Sequence, residues 1–237
     1  MIKSQIILDR LTPLLKIKSV KGEKEDGAPF GKGVKEALDY ALRLAGSLGL
    51  ETVNYDGYIG EVILGKGEDF GILCHLDVVP EGNLSAWKSD PFTPTIRDGK
   101  LFCRGAIDDK SAAISVLSAL DRLKTEGVEF KRRVRLILGC DEESGWECID
   151  HLKKCVPLPE EGFSPDAEFP VIYSEKGILH VKYRFEKRKR FFAEGGIKAN
   201  VVCDYSKAIG DFKNTEANEK VTVTDTLAKA YGVDAHG

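Results

Sequence analysis

GILCHLDVVPEG, residues 71–82, is the stretch on which the fold turns. Phe70–Cys74 has the composition of a buried strand, and it runs straight into His75, Leu76 and Asp77. At strand spacing, residues i and i+2 point to the same side, so the imidazole and the carboxylate share one face of the strand end. Two readings are open for this pair alone. It is a strand-end histidine paired with a nearby acid, or it is a metal-binding imidazole whose other ring nitrogen is fixed by a carboxylate.

Strands and helices alternate outward from this point. Upstream, KSQIILDRLTPLLK (3–16) reads as a helix with Ile6, Ile7, Leu11 and Leu14 on one side and Pro13 as a candidate kink or break. Residues 20–31 read as a Gly- and Lys-rich loop, and KGVKEALDYALRLAGSL (32–48) has helical apolar spacing that stops at Gly49. Residues 51–64 form two short β-like runs around Asp56-Gly57, and TPTIRDGKLFC (93–103) repeats the hairpin signal around Asp98-Gly99. Residues 110–126 return to helix, with Ala113, Val116, Leu117, Leu120 and Leu123 on one face and Gly127 at its end. RVRLILG (133–139) is a strand and 146–155 a short helix. The alternation predicts an α/β fold, a central sheet with helices on both faces, and the hairpins make that sheet mixed. From 177, GILHVKYRFEKRKRFF alternates and is strongly charged, which predicts an exposed edge strand opening a separate unit.

The 237 residues suit one main domain and part of a second. Hydrophobic content of 42% and charged content of 31% are ordinary for a folded chain with a sizeable core. A net charge of −3 argues against a nucleic-acid binder, so KYRFEKRKR (182–190) reads as a solvated strand rather than a nucleic-acid patch. No apolar window is long enough to span a membrane, and the start, MIKSQIILDR, lacks the features of a secretory signal. The six cysteines, at 74, 103, 140, 148, 155 and 203, show no CxxC spacing and read as reduced, mostly buried thiols of a cytoplasmic protein.

Four acid-rich places sit where elements end. Beside His75 and Asp77, RGAIDDKS (104–111) sets Asp108 and Asp109 at the start of a helix, where acids commonly cap or meet the helix dipole. A metal site requires one of them to turn toward His75. GCDEESG (139–145) places three consecutive acids after an apolar strand; they repel one another unless cations neutralise them, and α/β sheets hold ligands at the carboxyl ends of strands. FSPDAEFP (163–170) adds Asp166 in a Pro-flanked loop. One histidine with several carboxylates suits a pair of borderline metal ions such as zinc. A two-metal site needs a bridging carboxylate and a second, free one for proton transfer.

In order and spacing, GILCHLDVVPEG, WKSDPFTP (87–94), DGKLFCRGAIDDKS (98–111), GCDEESGW (139–146) and GFSPDAEFPVIYSEKG (162–177) resemble the dinuclear zinc metallopeptidases that include aminoacylase, acetylornithine deacetylase, succinyl-diaminopimelate desuccinylase, glutamate carboxypeptidase and carnosinase. SPDAEFP is similar to the dipeptidase branch, and the nearest resemblance is to bacterial peptidase V-type (Xaa-His) dipeptidases. The resemblance implies a zinc-exopeptidase-like catalytic domain over 1–177 and the beginning of an α+β lid over 178–237. It implies His75, Asp108 and Asp166 on one zinc, Asp108 bridging to a second that Glu143 also binds, Glu142 as general base, and Asp77 holding the imidazole. Asp109 and Asp141 would be neighbours of the ligands. The substrate would be a dipeptide.

FFAEGGIKANVV (191–202) is similar to the start of the lid, and the terminal DAHG to the lid segment whose histidine, here His236, polarises the substrate carbonyl. Between them TDTLAKAYG (224–232) reads as a helix where the lid continues as strand. In the family a late histidine completes the second zinc; neither His151 nor His180 sits in a matching motif, so the chain reads as the N-terminal half of such an enzyme. Two expectations follow: a zinc dipeptidase, or an inactive remnant that folds and binds at most one metal tightly.

Overall fold

The computed structural model describes residues 2–174 without a break, together with 177, 179, 181, 184, 192–196, 205–210, 221–224 and 227–231. The chain divides into two compact units, Met1–Ile172 and Tyr173–Gly237.

The first unit opens with α1 (Ser4–Leu15) and α2 (Lys32–Ser47), followed by the hairpin β1 (Glu51–Tyr55) and β2 (Ile59–Leu64) and by β3 (Asp69–His75). A second hairpin, β4 (Thr95–Arg97) and β5 (Lys100–Phe102), precedes α3 (Lys110–Thr125), β6 (Arg133–Gly139), α4 (Glu147–Cys155) and the two-residue β7 (Gly162–Phe163). The main sheet has the order β1-β2-β6-β3-β7, and β4 with β5 forms a separate ribbon. The β1–β2 and β2–β6 pairs are antiparallel, whereas β6, β3 and β7 run parallel. The sheet is mixed, as the hairpins predict.

Local chemistry accounts for the element ends. Both hairpins turn on an Asp-Gly pair with positive φ at each residue, in a three-residue connection between β1 and β2 and a two-residue one between β4 and β5. Helix α2 stops where Gly49 takes φ +69°, and Leu50 donates its N–H back to the Ala45 carbonyl, closing a Schellman motif. Helix α1 continues through Pro13, so the break that proline signals does not occur. Its buried face is Leu11, Leu14 and Leu15; Ile6 is exposed and Leu15 takes its place.

Helices cover both faces of the sheet. A side chain at Gly60 would strike Leu38 and Leu42 of α2, and one at Gly139 would meet Cys148 of α4. Gly60 pairs with Leu138 and Ile59 with Gly139, so these two helices lie on opposite faces. Helix α3 packs with α1 and against β3. The core comprises Leu14, Leu15, Leu38, Ile59, Ile114, Leu117, Leu136, Leu138 and Leu152, among others.

Of the cysteines, Cys74, Cys103, Cys140 and Cys148 are buried and free, Cys155 is exposed, and Cys203 lies outside the described residues. Among the described residues no helix is long and apolar enough to cross a membrane.

In the second unit β8 (Phe192–Gly195), β9 (Tyr205–Ile209), β10 (Val221–Val223) and β11 (Leu227–Tyr231) form an antiparallel sheet in the order β10-β11-β9-β8. LAKAY is therefore a strand, not the helix its composition suggests. Leu, Ala and Lys favour helix, but pairing with β9 and β10 on both sides overrides that weak preference. The strand expected over 177–192 falls largely outside the described residues, as do His180 and His236.

One polar cluster is sealed inside the main sheet. Arg135 of β6 pairs with Glu61 of β2, both almost fully buried, and its other nitrogen reaches Asp69 of β3 at 2.8 Å and the Pro157 carbonyl at 2.8 Å. Removing one partner of such a pair leaves a buried, uncompensated charge. Arg135→Met should cost about 3–5 kcal/mol in urea unfolding, and the double change Glu61→Leu/Arg135→Met should recover most of it. Hydrogen bonding from Arg133 above all, helped by Arg135, holds the Asp69 carboxyl at about 2 against an ordinary 3.8. A depressed acid stabilises the fold above its unfolded pKa and loses that contribution as pH falls through the folded one. The stability gap between wild type and Asp69→Asn should therefore close as pH falls from 3.8 toward 2, read by urea unfolding at stepped pH.

Candidate metal centre

Parallel pairing places the site. His75 ends β3 and lies opposite Gly139, the last residue of β6, and the Leu76 N–H donates to the Gly139 carbonyl at 2.9 Å. Ser19 secures the same strand end from the other side: its buried hydroxyl donates to the Leu76 carbonyl at 2.6 Å, and its carbonyl accepts the Val78 N–H. The acids that follow β6, β7 and the loop before α3 therefore converge on the carboxyl end of β3, where open α/β sheets hold ligands.

His75 is 2% exposed, and its two ring nitrogens face different surroundings. Nδ1 lies 2.8 Å from the backbone carbonyl of Asp77 and 3.6 Å from its carboxylate. The carbonyl thus fixes the ring by accepting from Nδ1–H, which leaves Nε2 with its lone pair outward. Nε2 meets Asp108 Oδ1 at 2.9 Å, Asp166 Oδ2 at 3.3 Å and Glu142 Oε2 at 3.7 Å, yet it is buried with no partner in hydrogen-bonding geometry.

Both acids before α3 turn from their own helix to His75. Asp109 occupies the N-cap position of α3 but makes no side-chain capping bond; its Oδ2 accepts the His75 backbone N–H at 3.0 Å. Its other oxygen, Oδ1, is buried without a partner. Ligand atoms of His75, Asp109 and Asp166 all lie within 4.8 Å of one another, so Asp109 stands directly beside the expected ligands. The next residue, Lys110, is fully buried and donates to the Leu14 and Ile17 carbonyls, fastening the start of α3 to the end of α1.

Asp77 is 1% exposed, and its carboxylate is a backbone acceptor: Oδ1 takes the Glu142 N–H and Oδ2 the Glu143 N–H, each at 3.1 Å. Both glutamates are thereby held at the mouth of β3. Asp141, between Cys140 and Glu142, is fully buried.

The electrostatics are those of crowded, desolvated carboxyls. Burial pushes Asp109 up to about 7 despite the His75 N–H, and burial with the neighbouring Asp108 pushes Glu143 up to about 7. Burial raises Glu142 as well, with Asp166, Asp77 and Asp108 adding to it and His75 opposing. Burial alone would lower the His75 imidazole; the carboxylates of Asp108, Asp166 and Asp77 outweigh it and raise its pKa. A divalent cation at Nε2 would reverse this balance, favouring neutral imidazole and charged carboxylates. A buried imidazole nitrogen ringed by carboxylate oxygens is the donor set of a borderline metal such as zinc, so the residues fit the ion.

The sequence-predicted His75, Asp77, Asp108, Glu142, Glu143 and Asp166 gather at this one place, while His236 lies outside the described residues. Ser19 and Lys110 were missed as supports. Neither carries a local signal, because each acts by reaching a carbonyl distant in the chain.

Known proteins resemble this chain in sequence and in fold. Residues 71–234 match the sequence model of peptidase family M20/M25/M40. A Bacillus subtilis (strain 168) protein named "Putative dipeptidase YtjP" is 38% identical over 87% of the chain and 47% of its own length. A Staphylococcus saprophyticus protein named "Putative dipeptidase SSP1012" is 45% identical over 73% of the chain and 37% of its own length. The chain thus spans about half the length, or less, of these relatives. Human carnosine dipeptidase 1 shares the fold, with a TM-score of 0.56 at 21% identity over 64% of this chain and 35% of that one. Aminopeptidase PepT from Bacillus cereus does so with a TM-score of 0.54 at 18% identity, covering 71% and 44%. The chain belongs to peptidase family M20/M25/M40.

Proposed function

We propose that this M20-family chain carries the metal-ligating residues of a dipeptidase that uses two zinc ions to hydrolyse the peptide bond. The observation that carries the reading is His75 Nε2, buried and without a hydrogen-bond partner, with oxygens of Asp108, Asp166 and Glu142 within 3.7 Å. The names of the relatives supply the dipeptide substrate.

In this reading His75 and Asp166 would hold one zinc and Glu143 the other, and Asp108 would serve both. Bound zinc supplies Lewis acidity, which lowers the pKa of water to about 7. Glu142 takes the proton from the attacking water on its carboxylate and passes it to the departing amine. Burial raises the Glu142 pKa above the ordinary carboxylate value, the direction that favours a carboxylate which must also donate. The Asp77 carbonyl keeps the His75 tautomer, and the Asp77 carboxylate keeps Glu142 and Glu143 in register. The resemblance gives the oxyanion to the lid residue His236 and the last ligand of the second zinc to a late histidine; the lid over 178–237 belongs to the same proposal. We place the enzyme in the cytoplasm, where its thiols stay reduced.

Two measurements test this. Metal analysis of the purified protein should find zinc-group metal, reduced at least about tenfold by Asp108→Ala. No bound metal, or binding indifferent to Asp108, would sink the reading. In the whole enzyme, Glu142→Gln should retain metal while dipeptide turnover falls by about 10²–10⁴; near-normal turnover would remove Glu142 as the base.

A further inference from the structure

Glu142 and Glu143 sit on a loop with an anchor that the metal chemistry does not explain. Asp141 is fully buried, and its Oδ1 pairs with the Lys21 ammonium at 2.7 Å. Its Oδ2 accepts the Glu147 N–H at 3.1 Å, at the first residue of α4, and its backbone carbonyl accepts the N–H groups of Gly145 and Trp146. Residues 141–147 are thereby closed into a ring around one carboxylate. The ring is tight around Gly145, where a Cβ would stand 3.1 Å from Asp141 Oδ2 and 3.9 Å from Lys21 Nζ.

Lys21 reaches this ring from the N-terminal segment. Ser19 and Val20 of that segment are tied to Leu76 and Val78, on either side of Asp77, and the Gly22 N–H donates to the Phe30 carbonyl at 2.9 Å. The Lys21 ammonium also lies 5.1 Å from the centre of the Phe30 ring. The side chain is therefore fixed at both ends, while the ammonium keeps partial contact with water and the carboxylate has none. A sealed carboxylate without a cation is costly, and here it lies beside further acids.

We propose that Lys21 is a positioning residue: through Asp141 it sets the loop that aims Glu142 and Glu143 at His75. Asp77 clamps the loop from the end of β3, and the Lys21–Asp141 pair clamps it from the N-terminal segment. The inference rests on the roles proposed for Glu142 and Glu143, but the loop's order is measurable without metal or peptide.

Backbone amide exchange of the metal-free protein provides the test. In Lys21→Met the Glu142, Glu143 and Glu147 amides should exchange at least about tenfold faster, with the Leu136–Leu138 amides of β6 unchanged; Lys21→Arg should restore protection. Zinc affinity should fall by a similar factor in Lys21→Met and recover in Lys21→Arg. Unchanged loop amides in Lys21→Met, or equal acceleration in β6 and the loop, would overturn the proposal. If Lys21→Met does not fold, Lys21→Gln compared with Lys21→Arg is judged by the same amides. If wild type binds no zinc, the metal reading fails, and the exchange arm still decides the role of Lys21.

Discussion

The parallel pairing of β3 with β6 is the constraint from which the site follows. It brings the last residues of the two strands, His75 and Gly139, opposite one another, so the chain leaving each strand emerges at the same edge. One exit carries Asp77 and the other Asp141, Glu142 and Glu143. A one-residue slip would send His75 to the opposite face of the sheet, away from α4. The register is defended by apolar packing on both faces and by the buried Arg135 that links β6 to Glu61 and Asp69 on its two neighbours. An ion pair that touches no substrate atom thus helps decide where the histidine points.

At that edge the acids separate into two layers. Asp77, Asp109 and Asp141 are almost fully buried, and each accepts backbone N–H groups from the site's own loops: Glu142 and Glu143, His75, and Glu147. Asp108, Glu142 and Asp166 keep 45%, 34% and 28% of their side chains exposed and aim oxygens at His75 Nε2. Neighbours in sequence are divided between the layers. Asp108 is part-exposed while Asp109 is sealed, and Glu142 is part-exposed while Asp141 is sealed. Consecutive acids are tolerable because they do not share an environment.

Much of the fold was legible because its signals are local. The two Asp-Gly hairpins, the glycine stop of α2 and the apolar runs of β3 and β6 each specify themselves within a few residues. Features set by distant partners were not legible. Strand β7 is two residues long and exists because Gly71 and Ile72 pair with it. LAKAY is a strand because β9 and β10 flank it. In the site, His75 and the outer acids stood out by their position at element ends. Asp77 shows more than its spacing suggests: both its carbonyl and its carboxylate lie beside the His75 Nδ1, at 2.8 Å and 3.6 Å, and the carboxylate also spans to the loop after β6. Asp109 resembles an ordinary helix cap in sequence, and only the approach of β3 shows why it is not one.

The two layers differ in what they need. Asp77 and Asp141 are satisfied by N–H groups and by Lys21, and Asp109 Oδ2 by the His75 N–H, partners supplied by the fold itself. The outer ones crowd a buried imidazole nitrogen, and burial with the neighbouring carboxylates raises the pKa of Glu142, a concentration of negative potential that a dication would neutralise. The inner layer keeps the outer acids from relaxing apart when no cation is present, since it fixes the backbone on which they stand. A cation drawn to that potential would have little backbone rearrangement to drive.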